Sequence, residues 1–295
     1  MPRIKRLKVE GEIGYYHIIS RTVGGEFYLG DMEKEKLLEI IKYYSQIYFV
    51  KVIGYIIMSN HFHLLVRMEP EEEYSEEEIK KRIKIWGKYD NISKSQLKEL
   101  LKKMSDISEY VKSIKQTFAR WYNKKNKRRG YFWGDRFKSV LIEEGEGLLN
   151  CLAYIELNSI RAGIVKRPER YRWSSFYERY MGMGDWLSFE GTELDNFEEY
   201  AEFVYMIGGI EREGKKKLQK GLKVPNIEGL FLRRIRYFTE GVVIGSKGFI
   251  KEAYKRFSEI IKKKRKIPHR IKEMGDFFSI RRLCMNYRVI CPQNL

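Results

Sequence analysis

Two histidines, His61 and His63, stand one residue apart in the apolar stretch GYIIMSNHFHLLVRM (54–68), and the 295-residue chain has only four histidines. In a β-strand side chains alternate faces, so His61, His63 and Leu65 point one way and Phe62, Leu64 and Val66 the other. Both imidazoles then project from one face, close enough to share a ligand. Neutral imidazole is the commonest protein metal ligand, and a pair that leaves coordination positions open suits a catalytic cation. A second group comes from LLNCLAYIELNSIRAG (148–163), where Tyr154 and Asn158 are four apart in a helical pattern and share a face. Asparagine offers a hard carbonyl oxygen suited to Mg²⁺ or Mn²⁺ and completes a three-ligand set with the histidines. Tyrosine forms covalent intermediates in enzymes, and a phenolic nucleophile beside a cation that polarises a phosphodiester is coherent chemistry.

The elements that must position these groups are legible from periodicity. GYYHIISRTV (14–23) alternates as a strand and carries His17 on the face of Tyr15 and Ile19, read as a packed strand histidine before a group that supports the site residues. An amphipathic helix with its N-cap near Asp31 follows, and two strands then meet at a turn through Ser59 and Asn60. A charged stretch over about 69–105 reads as a surface insertion, after which Ile107, Val111, Ile114, Phe118 and Trp121 predict a long helix capped by Ser105. YFWGDRFKSVLIEE (131–144) reads as a strand, and the helix of Tyr154 is expected to end near Gly163. The order β-α-β-β-α-β predicts an α+β fold, an antiparallel sheet with helices, over residues 1–187. Residues 188–295 are expected to form a basic, mainly helical module, in which FLRRIRYFTEGVVIGSKGFIKEAYKRF (231–257) has helix–turn–helix character.

Charge points to the partner. The formal net charge is +18, and residues 211–295 hold 23 lysines and arginines against 8 acidic residues, a net of +15. Such asymmetry favours a polyanion, nucleic acid before an anionic membrane. Lys124, Lys125, Lys127, Arg128 and Arg129 read as a phosphate-contact loop, and Trp133, Arg136 and Lys138 mix stacking and charge as a single-strand path requires. Arg233, Arg234, Arg236, Lys262, Lys263, Lys264 and Arg265 are the corresponding candidates in the tail. No apolar run approaches the ~20 residues of a membrane helix, the first residues lack the apolar core of a signal peptide, and Cys151, Cys284 and Cys291 form no disulfide or zinc framework. A cytoplasmic protein is the expectation.

Taken in order, MSNHFHLLV (58–66) and GDRFKSVLIEEGEGLLNCLAYIELNSIRAGIVKRPERYRWSSF (134–176) resemble the two conserved blocks of the single-tyrosine HUH transposases, in particular the REP-associated tyrosine transposases. The resemblance covers roughly residues 10–180, and RYFTEGVVIGSKGFIKE (236–252) also resembles a C-terminal block of longer members. It implies that His61 and His63 bind the metal with Asn158, and that Tyr154 is the nucleophile. The activity implied is nicking and rejoining of single-stranded DNA through a 5′-phosphotyrosine, with Mg²⁺ or Mn²⁺ as cofactor and palindromic, hairpin-bearing repeats as substrate. The family usually has proline after the asparagine, where this chain has Ser159, so the helical geometry at that point is open. Whether the protein acts as monomer or homodimer is open too. Two other readings stay beside this one: a non-catalytic DNA-binding regulator on the same scaffold, and an RNA-binding or RNA-processing protein, although the aromatic strand motif of RNA-recognition modules is absent.

Overall fold

Alternating apolar side chains over Gly14–Arg21 form β1, and the chain then turns into helix α1 (Asp31–Ser45), whose extended N-cap is Gly30 rather than Asp31. The hairpin β2 (Val50–Ile57) and β3 (His61–Met68) follows, closed by Met58 N–H donating to the His61 carbonyl at 2.8 Å. Helices α2 (Glu76–Trp86) and α3 (Lys94–Met104) make up the charged insertion, which buries its own small cluster of Ile83, Leu100 and Met104 on Phe49. Helix α4 (Ile107–Lys125) is capped by Asp106, whose Oδ1 accepts from Ser108 N at 2.6 Å; Ser105 instead ends α3. The strand expected over 131–144 is shorter, β4 (Lys138–Ile142), and the tyrosine helix is split at Leu157 into α5 (Glu146–Glu156) and α6 (Asn158–Arg161). Short α7 (Ser175–Tyr180) and α8 (Phe197–Ile207) complete this half. The computed structural model describes residues 6–87, 93–208, 235–261, 268–271 and 275–280.

Strands β2, β3, β1 and β4 lie side by side in that order, all antiparallel, which is the arrangement the β-α-β-β-α-β reading requires. The sheet is covered on both faces. One face carries Tyr16, Ile18, Phe62, Leu64 and Val66 and packs on α1 and α4 through Leu37, Ile41, Ile114 and Phe118. The other carries Tyr15, Ile56, Leu65, Val140 and Ile142 and packs on α5, α7 and α8. Burial on both sides explains why these strands read as nearly continuous apolar runs. Helix α5 sits unusually close to β2. A Cβ on Gly54 would come within 2.1 Å of Leu152 Cδ1, so only glycine admits that helix there.

The 236–256 stretch differs from the expected helix–turn–helix. It forms α9 (Arg236–Glu240), a strand β5 (Val243–Gly245) and α10 (Lys247–Arg256), and β5 pairs in parallel with β4, Leu141 beside Val243 and Ile142 beside Ile244. The run VVIG carries β-branched residues whose state is decided by the free edge of β4, and that edge is invisible to local spacing. Two short strands, β6 (His269–Arg270) and β7 (Phe278–Ser279), extend the sheet beyond β5. Ile235, Tyr237, Phe238 and Phe277 join the α5 side, whereas Ile250, Ala253 and Tyr254 join the α4 side. The described residues on either side of the expected 187/188 boundary therefore share both hydrophobic clusters.

A buried polar network fastens α5. Glu156 is fully buried, accepts from the hydroxyls of Ser175 and Tyr200, and lies 3.5 Å from the equally enclosed Arg179 guanidinium. Arg179 in turn donates to the Ile53 carbonyl at 2.6 Å and the Ser188 carbonyl at 3.0 Å. Removing one member strands a charge in the core. Glu156→Ala is expected to cost about 3–5 kcal/mol in urea unfolding; a loss below about 1 kcal/mol would show that the network does not hold α5.

Candidate active site

The histidine pair arises from register. Ile19 pairs with His63, Arg21 with His61 and His17 with Leu65, so His17, His61 and His63 share the sheet face on which α5 lies. His17 reaches diagonally to His63, Nε2 to Nδ1 at 2.8 Å, with the rings stacked 5.0 Å apart. Its other nitrogen, Nδ1, lies 2.9 Å from the Phe238 carbonyl on α9. On the far side of His63, Nε2 meets Asn158 Nδ2 at 2.9 Å. His61 stands edge-on to His63 at 5.0 Å, and its Nδ1 lies 2.6 Å from Asn60 Oδ1.

These contacts set the tautomers. A carbonyl only accepts, so His17 Nδ1 carries a proton and, in the neutral ring, His17 Nε2 is the acceptor. His63 Nδ1 must then donate to it, which leaves the lone pair of His63 on Nε2, facing Asn158. The same logic holds at His61. Asn60 Nδ2 donates to the Gly25 carbonyl at 2.8 Å, so its Oδ1 faces His61, whose Nδ1 donates and whose Nε2 keeps the lone pair. Hydrogen bonds at one ring nitrogen thus present the other nitrogen of each histidine as a ligand.

Burial drives both inner imidazoles toward the neutral form. Desolvation pushes His17 down to about 3, against the Phe238 carbonyl, which favours the proton. His63 is held well below its ordinary value, first by desolvation and then by His17, His61, Arg161 and Arg21.

Tyr154 and Asn158 lie on α5 and α6 across the break at Leu157. Despite serine at 159, Asn158 reaches His63, so the helical geometry left open by the missing proline is compatible with the site. The Ser159 hydroxyl is buried without a hydrogen-bond partner among the described residues. The Tyr154 ring is only 1% exposed, packs 5.0 Å from Phe238 and stands edge-on to His17 at 6.4 Å. Arg161 lies over it, its guanidinium carbon 4.1 Å from the ring centroid, with Nη1 and Nη2 donating to the Tyr154 carbonyl at 3.4 and 3.3 Å.

Would a divalent cation fit? Among the described residues no three His, Cys, Asp or Glu side chains cluster as ligands, and Asn158, already in contact with His63 Nε2, offers an amide oxygen as a further donor. Rotating its amide would bring Oδ1 toward the lone pair of His63 Nε2. Two facing acceptors repel unless a cation lies between them, and the His₂–amide set suits a metal that accepts both nitrogen and oxygen ligands. The residues fit.

Asn60, which orients His61 beyond its part in the turn, Phe238, which anchors His17 from a segment 221 residues away, and Arg161 escaped the sequence reading; of the two roles open for His17, the structure shows a partner of His63 rather than a merely packed ring. Arg161 had a local signal, since it is three residues beyond Asn158 and seven beyond Tyr154 on one helical face. Of the expected DNA contacts, Trp133 is corrected: it is buried against Phe62, Phe118 and Phe132, and its Nε1 donates to the Lys115 carbonyl at 2.9 Å, because the 131–134 stretch is tied inward to Val23 and Arg21. Lys124, Lys127, Arg129, Arg136 and Lys138 are exposed, Arg128 is half-buried, and Lys125 pairs with Glu33 at 2.6 Å. Arg136 shares a groove of about 670 Å³ with Arg6, Lys8 and Arg256. Arg236 pairs with Glu240 on α9, its Nε 3.0 Å from Oε2. Arg233, Arg234, Lys262, Lys263, Lys264 and Arg265 lie outside the described residues, as do Cys284 and Cys291.

Residues 13–85 match the family model "Transposase IS200 like". The matched segment carries β1 through most of α2, including His17, His61 and His63. A solved structure described as "Structure of the REP associates tyrosine transposase bound to a REP hairpin" is 16% identical, with a TM-score of 0.44, covering 66% of this chain and 99% of that chain. No curated protein matches the chain. Among the described residues no helix is long and apolar enough to cross a membrane.

A neutral, buried pair has a signature. In metal-free protein the stability from His17 and His63 is fully present above the unfolded-chain value near 6.5 and is lost as pH falls below it, because the unfolded chain takes up protons that the native state refuses. Urea unfolding from pH 7.5 to 5 should lose up to about 1.4 kcal/mol per pH unit for each histidine. His17→Phe should reduce that slope by one histidine's share, and an unchanged slope would contradict a buried neutral His17.

Proposed function

We propose that the protein is a divalent-metal-dependent single-strand DNA transesterase that nicks and rejoins DNA through a phosphotyrosine. One observation carries this reading: the chain Phe238 C=O, His17, His63, Asn158 aims the lone pair of His63 at an amide one helical turn from Tyr154. The family match supports it for the histidine half, while Tyr154 and Asn158 lie beyond the matched residues and rest on the geometry and the resemblance.

His61, His63 and Asn158 would hold Mg²⁺ or Mn²⁺. When bound, the cation would polarise the scissile phosphate and offset its charge. Tyr154 Oη attacks phosphorus, the bond from phosphorus to the 3′ oxygen breaks, and the phenol proton ends on the 3′-hydroxyl. The phosphotyrosine conserves the bond, so a second 3′-hydroxyl reverses the step and joins strands without a nucleotide cofactor. A free phenol has a pKa near 10 and is mostly protonated at neutral pH. Arg161, whose guanidinium lies against the Tyr154 ring and donates to the Tyr154 carbonyl, would hold the ring in place for attack. By resemblance the substrate is a single strand beside a hairpin, and the local site works in one protomer or two.

The 1% exposure of Tyr154 favours a second reading, a DNA-binding regulator whose site is retained but idle. One assay separates them. Full-length protein incubated with hairpin-bearing single strands and Mg²⁺ should form a covalent adduct that survives denaturing electrophoresis. Tyr154→Phe should abolish the adduct and keep DNA affinity; adduct formation at the normal rate by this variant would assign the nucleophile elsewhere. Arg161→Gln should slow adduct formation by about tenfold through loss of its hold on the Tyr154 ring and carbonyl, and an unchanged rate would show that Arg161 does not position the tyrosine.

Mn²⁺ titration reads the metal site separately. His61→Ala with His63→Ala should abolish binding, and His17→Phe should weaken it by about 10–100-fold through loss of the tautomer lock. Unchanged Mn²⁺ affinity in the double variant would remove the metal from this site.

A further inference from the structure

Two segments lie beside the turn that presents His61. In the first, Thr22 N donates to the Asn60 carbonyl at 3.0 Å and Leu29 N to the Ser59 carbonyl at 2.9 Å, so the 22–29 loop is strapped to that turn at both ends. In the second, Val23 N donates to the Phe132 carbonyl at 2.9 Å and Gly134 N to the Arg21 carbonyl at 3.0 Å, which ties the 131–134 stretch to the same loop. Tyr28 and Phe132 turn inward, their rings 6.0 Å apart, and the residues before them, Phe27 and Tyr131, turn outward. Phe27 is 77% and Tyr131 86% exposed, the two highest values among large hydrophobic side chains of the described residues.

Their surroundings are cationic. Lys124, Lys127 and Arg129 are exposed on the end of α4 and its following loop, and Arg128 lies 4.8 Å over the Tyr28 ring and donates to the Tyr131 carbonyl at 3.5 Å. Exposed Arg21 is the cross-strand neighbour of His61. Glu33 is already paired with Lys125 at 2.6 Å, which leaves Glu26 as the exposed carboxylate of the 22–29 loop. Bare aromatic rings among cations suit an anion that also offers flat apolar faces. Unpaired nucleotides do so, whereas a duplex hides its bases in the stack.

We infer that Phe27 and Tyr131 are stacking platforms for unpaired bases of the strand whose phosphates run from the 124–129 loop past Arg21 to His61. This deepens the single-strand reading of the site and rests on it. Trp133, the aromatic residue that composition favoured for stacking, faces the core from the same stretch; Tyr131, two residues earlier, is the one left in solvent.

The test measures affinity, without cleavage, in full-length protein carrying Tyr154→Phe with chelator present. The probes are a fluorescent unpaired DNA oligonucleotide, an abasic strand of the same length, and RNA of the same sequence. Phe27→Ala and Tyr131→Ala should each weaken binding to the base-bearing DNA by about tenfold and leave the abasic strand unchanged, with tryptophan at either position restoring affinity. Lys127→Ala with Arg129→Ala should weaken both DNA strands alike and flatten the salt dependence. Equal loss on abasic and base-bearing DNA, no loss on either, or a loss confined to RNA would overturn the stacking assignment. Parent protein that binds none of the three strands would instead overturn the single-strand reading of the site, and the stacking role with it.

Discussion

The hydrogen bond from the buried His17 Nδ1 to the carbonyl of Phe238 is the constraint on which the site depends. A carbonyl accepts and never donates, so this contact fixes the proton on one nitrogen of His17 and passes that choice to His63. At the end of the relay a single lone pair, on His63 Nε2, faces Asn158. Loss of the carbonyl would free both rings to exchange tautomers and turn a directed ligand into an undirected one. Asn60 performs the same service for His61 at lower burial, with the Gly25 carbonyl as its anchor.

Placing such a relay inside protein requires that no water compete for its hydrogen bonds, and the architecture meets that demand. The sheet is covered on both faces, α5 approaches closely because residue 54 lacks a side chain, and the Glu156–Arg179 network holds the helix from its other side. The same burial that protects the relay encloses Tyr154 between Phe238, His17 and Arg161. Polar groups inside a low-dielectric core interact strongly and are costly to leave unpaired, and both nitrogens of His17 and of His63 have hydrogen-bond partners.

The late part of the chain, set apart in the sequence by charge, is in its described portion structurally continuous with the early part. Its strand β5 adds to β4, α9 packs on the side of Tyr154 and α5, and α10 crosses to the opposite face. Charge composition reports on partners through long-range fields, whereas domain boundaries follow from contacts; the two need not coincide.

By itself the sequence determined the β-α-β-β-α-β order, the common face of His61 and His63, and the pairing of Tyr154 with Asn158 on one helical side. Each of these is a consequence of a local period, 2 for strands and 3.6 for helices, which one segment contains in full. Tertiary structure alone decided the partners. His17 became a ligand-orienting group because antiparallel register put it diagonally opposite His63, and Phe238 entered because a strand found the free edge of β4. Trp133 turned inward while Tyr131 stayed out, because backbone bonds to Val23 and Arg21 set which way an irregular stretch faces. Register, edge pairing and loop facing are contacts between distant residues, and no local periodicity encodes them.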